Sequence, residues 1–231
     1  FQNMGISFGI AFVALIFEFL IAIPLGVKAA VNQNGVIDYT SSVLAMIGTA
    51  LPTFFFAAIC IQLFSVQLGW FPVNGLQGTL PNDASAWVKF WDKMWHLVLP
   101  VFIMVFLSVG SLMRYTRTNT LDVLNADYIR TARAKGLPES KVIYKHAFRN
   151  TLIPLVTLLA GTIPGLFSGA MITEQIFSIP GIGLKAYDAL KAGDIPFIMG
   201  YNMFLAILTV LGTLFADLMY AVVDPRVKLT K

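Results

Sequence analysis

The sequence predicts an all-α, polytopic membrane bundle, and three observations carry that prediction: composition, the spacing of apolar stretches, and the placement of Lys and Arg. Of 231 residues, 57% are hydrophobic and only 12% are charged, with a mean hydropathy of +0.76. A soluble domain carries about 25% charged residues. Half that value, with such apolarity, places the chain in the membrane class before any motif is read.

A spanning helix needs about 20 mostly apolar residues. Five stretches qualify. They run over about 5–27, 40–66, 97–113, 151–172 and 197–223. Glu18 is the only charge in the first, and Asp217 falls near the end of the fifth. Pro24, Pro52, Pro100, Pro154 and Pro164 lie in or beside these stretches. In a bundle, neighbouring helices re-satisfy the backbone groups that proline frees. Gly161, Gly165 and Gly169 recur every four residues and predict a helix-packing face. The single cysteine, Cys60, excludes a disulfide framework or a multi-cysteine metal site and reads as a small buried hydrophobe.

Lys and Arg accumulate in cytoplasmic loops. Between spans three and four stand Arg114, Arg117, Arg130, Arg133, Lys135, Lys141, Lys145 and Arg149, and the tail adds Arg226, Lys228 and Lys231. With Lys28 in the first connection, these lie on one side of an alternating topology. The other side holds Lys89, Lys93, Lys185 and Lys191. The expectation is one transmembrane domain over 1–231, a cytoplasmic segment 116–150, extracytoplasmic loops 67–96 and 175–196, and a cytoplasmic C-terminus. Trp70, Trp87, Trp91 and Trp95 all fall in the first of those loops, as interfacial anchors do. Five spans ending inside start outside, so a further upstream span is expected.

The 116–150 segment is far longer than the usual connection of about 4–6 residues. Leu121, Leu124, Tyr128 and Ala132 recur at helical spacing, with acids early and bases late, as the helix dipole favours. Gly136 followed by Pro138 is a helix stop, and Pro138 also opens the next helix with Glu139 in its first turn. Lys141, Lys145 and Arg149 share a face there. The result is a basic helix–Gly–helix hairpin. A solvated positive loop, a surface element on anionic lipid and a docking element for a cytoplasmic partner all remain open from these residues.

The run from Ala126 to Leu137 (ADYIRTARAKGL) resembles the cytoplasmic EAA-type loop of ATP-binding-cassette (ABC) importer permeases. His146, Arg149, Asn150 and Pro154 downstream fit as well. Leu68–Pro72, Glu174–Gly183, and Asp217–Tyr220 followed by Asp224–Arg226 narrow the resemblance. All three resemble the oligopeptide/dipeptide (peptide/nickel) branch, and the last resembles its B-type permease. Arg130 and Thr131 stand where the general pattern has Glu and Ala. The similarity covers nearly the whole chain.

The resemblance implies a type I permease-like helical bundle in a bacterial cell membrane. It implies a pathway for peptides formed with a second homologous permease, two cytoplasmic ATPase subunits, and an extracytoplasmic peptide-binding protein. Membrane lipid surrounds such a subunit, and no nucleic-acid partner is expected. The hairpin around Gly136 would couple to the ATPases through Asp127, Tyr128, Thr131, Ala132, Lys135, Gly136 and Leu137, with Tyr128 and Ala132 as inserted knobs. ATP and Mg belong to the ATPases. This chain has no G-x-x-x-x-G-K-[ST] phosphate loop, and no cofactor, metal or catalytic residue is expected in it.

Ionisable groups in spans default to a functional reading. Glu18, Glu174 and Asp217 are the pathway or gating candidates. Glu18, the deepest, reads more readily as paired with a partner helix or the upstream span than as lining the path. Glu174, at the outer end of span four, also reads as a wet surface carboxylate, and Asp217 as a partner of Arg226 or of a basic residue of the hairpin. An intramembrane enzyme is disfavoured: no H-E-x-x-H or G-x-S-x-G occurs, and His96 and His146 fall on opposite sides. An ion-coupled secondary carrier, or a permease for nickel or another small solute, stays as the alternative.

Overall fold

The computed structural model describes residues 2–81 and 83–223. Among the described residues every regular element is helical. In chain order these are α1 (Gln2–Val31), α2 (Val36–Ala50), α3 (Thr53–Cys60) with a π-helical continuation (Ile61–Gln67), α4 (Ala86–Leu124) and α5 (Asp127–Ala134). Then come α6 (Glu139–Lys141) with a second π stretch (Val142–Ala147), α7 (Phe148–Ser168), α8 (Met171–Ile176), α9 (Ile182–Ala192) and α10 (Ile195–Val223).

Four helices are long and apolar enough to cross a membrane, and a fifth span exists if α2 and α3 are counted as one broken helix. The expected span over 40–66 is therefore present but interrupted. Its break falls at Leu51–Pro52, where Pro52 adopts an extended ψ of 134°. Proline lacks the amide for the helical ladder and disfavours α geometry in the residue before it. The third span starts at Ala86, well before the expected Leu97. Lys89, Asp92 and Lys93 depress hydropathy there without impeding helix geometry. The Gly161/Gly165/Gly169 row is not one helix face. α7 stops at Ser168, and Gly169 turns left-handed at φ +75°. A methyl group placed on Gly161 or Gly165 would meet nothing within 4 Å.

The chain divides into two compact units. Among the described residues, one comprises those of 2–17, 50–107 and 164–209, and the other those of 18–49, 108–163 and 210–223. Loops 67–96 and 175–196 belong to the first, and Lys28 and segment 116–150 to the second.

In the first unit, Ile10, Ala57, Cys60, Leu99, Ile103, Phe177 and Ile179 form the core. Cys60 is a small hydrophobe within it. Phe177 is buried, and its carbonyl accepts the Gly75 amide (2.7 Å), which ties the α3–α4 loop to the α8–α9 turn. Trp87, Trp91 and Trp95 lie exposed on the first three turns of α4.

In the second unit, Ala22, Ala45, Leu112, Met113 and Leu155 form the core. Two glycines permit close helix contact. A Cβ on Gly26 would lie 2.7 Å from the Met113 carbonyl, and one on Gly110 would lie 2.6 Å from that of Ala45. Asp38, near the start of α2, is buried and gripped by Arg117 of α4 through two bonds, Nε to Oδ1 (2.6 Å) and the guanidinium NH2 to Oδ2 (2.7 Å). The Asn34 amide adds a third donor at 3.0 Å. Such a bidentate pair fixes orientation as well as charge.

Candidate functional site

The hairpin follows from two breaks. α4 ends at Leu124, and Ala126 takes an extended conformation that starts α5 afresh. The second break is a Schellman turn. Gly136 at φ +76° donates to the Arg133 carbonyl (2.9 Å), and Leu137 donates to that of Ala132 (3.4 Å). Leu137 then packs beside Ala132, the contact that accompanies this motif. Arg133 clasps Glu139 across the turn, Nε to Oε2 at 3.2 Å and NH2 to Oε1 at 2.7 Å. That bond holds the Arg133 guanidinium above its usual range.

The hairpin has its own small core of Ile129, Ala132, Val142 and Ala147, with Val123, Leu124 and Leu137 packed around it. Ala132 is 8% exposed and packs against the π stretch, so it is not a knob presented outward. The reason is the break at Asn125–Ala126, which resets the helical register, so spacing counted from Leu121 does not carry through to Ala132. Tyr128 is exposed, as are Asp127, Thr131, Lys135 and Gly136, while Leu137 is half-buried. Five of the seven coupling candidates thus share an open surface. Beside them Tyr128, Lys145, His146, Arg149 and Asn150 line an open cationic groove of ≈ 370 Å³.

Glu174 is not wet. It is 2% exposed, caged by Ser7 Oγ (2.6 Å) and the Ala170 amide (3.2 Å) on Oε1 and the Leu184 amide (2.9 Å) on Oε2. Ser7 Oγ in turn accepts the Ile182 amide at 2.8 Å. The carboxylate thereby fastens α1, α8 and the start of α9 together. Gly181 is required for the approach: a Cβ there would collide with the Glu174 carboxyl and Ser7 Oγ. The α8 turn closes on Ser178 at φ +50°, a left-handed position for a non-glycine residue. Glu18 is half-buried on α1 and hydrogen-bonds Ser108 of α4. Asp217 is exposed on α10. Its expected partner Arg226, with Asp224, Pro225, Lys228 and Lys231, lies outside the described residues. The structure does not gather Glu18, Glu174 and Asp217 into a described cluster, and among the described residues no metal-holding group of His, Cys, Asp and Glu occurs. The Asp38–Arg117 pair leaves no local signal in the sequence, because its members stand 79 residues apart.

Residues 22–229 match the family described as the binding-protein-dependent transport system inner membrane component. The chain is 43% identical over 216 residues to the oligopeptide transport system permease protein AppB of Bacillus subtilis (strain 168), covering 94% of this chain and 67% of that protein. It is 37% identical over 231 residues to the dipeptide transport system permease protein DppB of Escherichia coli (strain K12), covering 93% and 68%. The chain thus spans about two thirds of the length of the curated relatives it matches. Among solved structures, a chain of the inward-facing MetNI methionine ABC transporter shares the fold at a TM-score of 0.72 and 19% identity, covering 96% of this chain and 95% of that one. With the helical spans and the matched residues together, the chain belongs to the binding-protein-dependent transport system inner membrane component family.

Proposed function

We propose that this chain is the membrane-spanning core of one permease half of an ATP-driven peptide importer. A second permease completes the pathway, two cytoplasmic ATPase subunits bind ATP and Mg, and an extracytoplasmic binding protein delivers the peptide. The hairpin around Gly136 faces the cytoplasm with the C-terminus and receives the motion of the ATPases. The observation that carries the reading is the hairpin itself. A lipid-facing or solvated loop needs no Schellman turn, no core of its own and no salt bridge across its tip. A part that must be pushed as a rigid body needs all three. Asp127, Tyr128, Thr131 and Lys135 form its outward contact surface, with Gly136 and Leu137 shaping the tip and Ala132 holding it from within. Identity to peptide permeases supports the substrate class.

Two measurements test this. Purification of the full-length protein should bring down a second permease and ATPase subunits, and Tyr128→Ala with Lys135→Glu should release the ATPases while the second permease stays. Peptide uptake by this chain alone under an ion gradient would refute the proposal and favour a secondary carrier.

A further inference from the structure

The α3 segment carries a feature that its apolarity hides. Phe55, Ala58, Ile59, Gln62, Leu63 and Gln67 line one open groove of ≈ 540 Å³. In an α-helix, residues five apart stand about 140° around the axis from one another. Gln62 and Gln67 would then point to different surroundings. The backbone here is π-helical over Ile61–Gln67, and its wider i→i+5 turn brings residues five apart onto the same side of the axis. The π stretch therefore places both carboxamides in the same groove. Both are exposed, and neither hydrogen-bonds another described residue.

Hydrocarbon is a poor environment for this face, since an unsatisfied polar group there costs several kcal/mol. The backbone break at Leu51–Pro52, at the start of the same helix, points the same way. Irregular backbone at membrane depth is tolerated only against protein or beside a water-filled cavity. Resting on the permease reading above, we infer that this groove lines the translocation path and binds the main chain of a peptide in transit, with Gln62 and Gln67 as the polar contacts. A carboxamide offers a donor and an acceptor, the complement of a peptide unit. Both contacts are neutral, so the peptide is held weakly enough to leave, as a conducting path requires. Phe55, Ile59 and Leu63 supply apolar walls without charge selection. The volume falls within the ~300–1,000 Å³ of small-ligand sites.

The test uses the full transporter, with second permease, ATPases and binding protein, reconstituted in vesicles, and radiolabelled di- and tetra-alanine as probes. Gln62→Leu/Gln67→Leu should lower the maximal uptake rate about tenfold, the loss expected from two hydrogen bonds. The half-saturating peptide concentration should not move, because the binding protein sets capture. Gln62→Asn/Gln67→Asn should stay within about threefold of wild type. Wild-type uptake in the double-leucine variant would overturn the groove assignment alone. Loss of the second permease from the purified double-leucine complex would overturn it too, by making this face a subunit contact. Absence of ATP-dependent uptake by the wild type would overturn the importer reading and the groove with it.

Discussion

Gly136 is the position where backbone geometry alone should decide coupling. Its φ of +76° lies in the left-handed region, and a Cβ there would meet nothing within 4 Å. Substitution therefore costs conformational energy without a steric clash. The left-handed conformation costs an L-residue about 1–2 kcal/mol, and least for Asn. Gly136→Ala should thus lower the closed-to-open ratio of the hairpin roughly 5–30-fold, and Gly136→Val more, because β-branched residues tolerate this region worst. Gly136→Pro fixes φ near −65° and removes the amide that donates to Arg133, for roughly 3 kcal/mol or more. The expected order is Gly, Asn, Ala, Val, Pro, both in resistance to trypsin at Arg133 and Lys141 in the purified complex and in ATP-driven uptake in vesicles. Two results would show that the left-handed turn does not govern the hairpin. One is a valine variant that matches wild type in both assays. The other is a fall in uptake with no gain in protease sensitivity, which would mean that the turn does not act through its backbone.

Other consequences follow from single residues. Ala132→Glu should open the hairpin to protease, because it places a carboxylate in the pocket formed by Ile129, Val142 and Ala147, whereas Tyr128→Ala should leave the hairpin intact. Arg117→Leu strands the buried Asp38 carboxylate and should destabilise the protein by about 3–5 kcal/mol, read as a lowered melting temperature in detergent. Asp38→Asn in the same chain should recover much of it. Gly181→Ala drives a methyl group into Glu174 and Ser7 and should cost about 1–3 kcal/mol, with loop 175–196 becoming protease-accessible. Ser178→Gly relieves a left-handed non-glycine residue and should stabilise that loop by several tenths of a kcal/mol to about 1 kcal/mol, visible as slower amide exchange at Ile179.

Spans and hairpin are legible in the sequence because each rests on local signals: long uncharged runs for the first, and Gly136–Pro138 with flanking charge order for the second. What escapes is set by non-local contact or by register. Pro52 gives no warning of a break, since proline at other span positions, such as Pro24 and Pro100, sits inside continuous helix. Trp87 to His96 read as loop because their charges lower hydropathy, yet they form the opening turns of α4. Tyr128 and Ala132 look equivalent by spacing and share α5, yet Val142 and Ala147 of the π stretch cover Ala132 and leave Tyr128 exposed, which no local pattern announces. Glu174 looks wet because its partners, Ser7 and the Leu184 amide, are contributed by α1 and α9. Gln62 and Gln67 look unrelated in sequence, and the π-helical backbone beneath them puts both on one groove.

The second π stretch, Val142–Ala147, bears on which changes in chain length the protein tolerates. From Glu139 to Ser168 the backbone coils without a loop, so nothing in that run absorbs an added or deleted residue. An insertion there rotates everything after it by about 100°, turning buried Leu155 away from its neighbours. A π turn is itself an α-helix with one residue too many. Lineages of this family that differ in length within the run should therefore differ at these six positions, where a deletion relaxes the coil to ordinary pitch, and nowhere else along it.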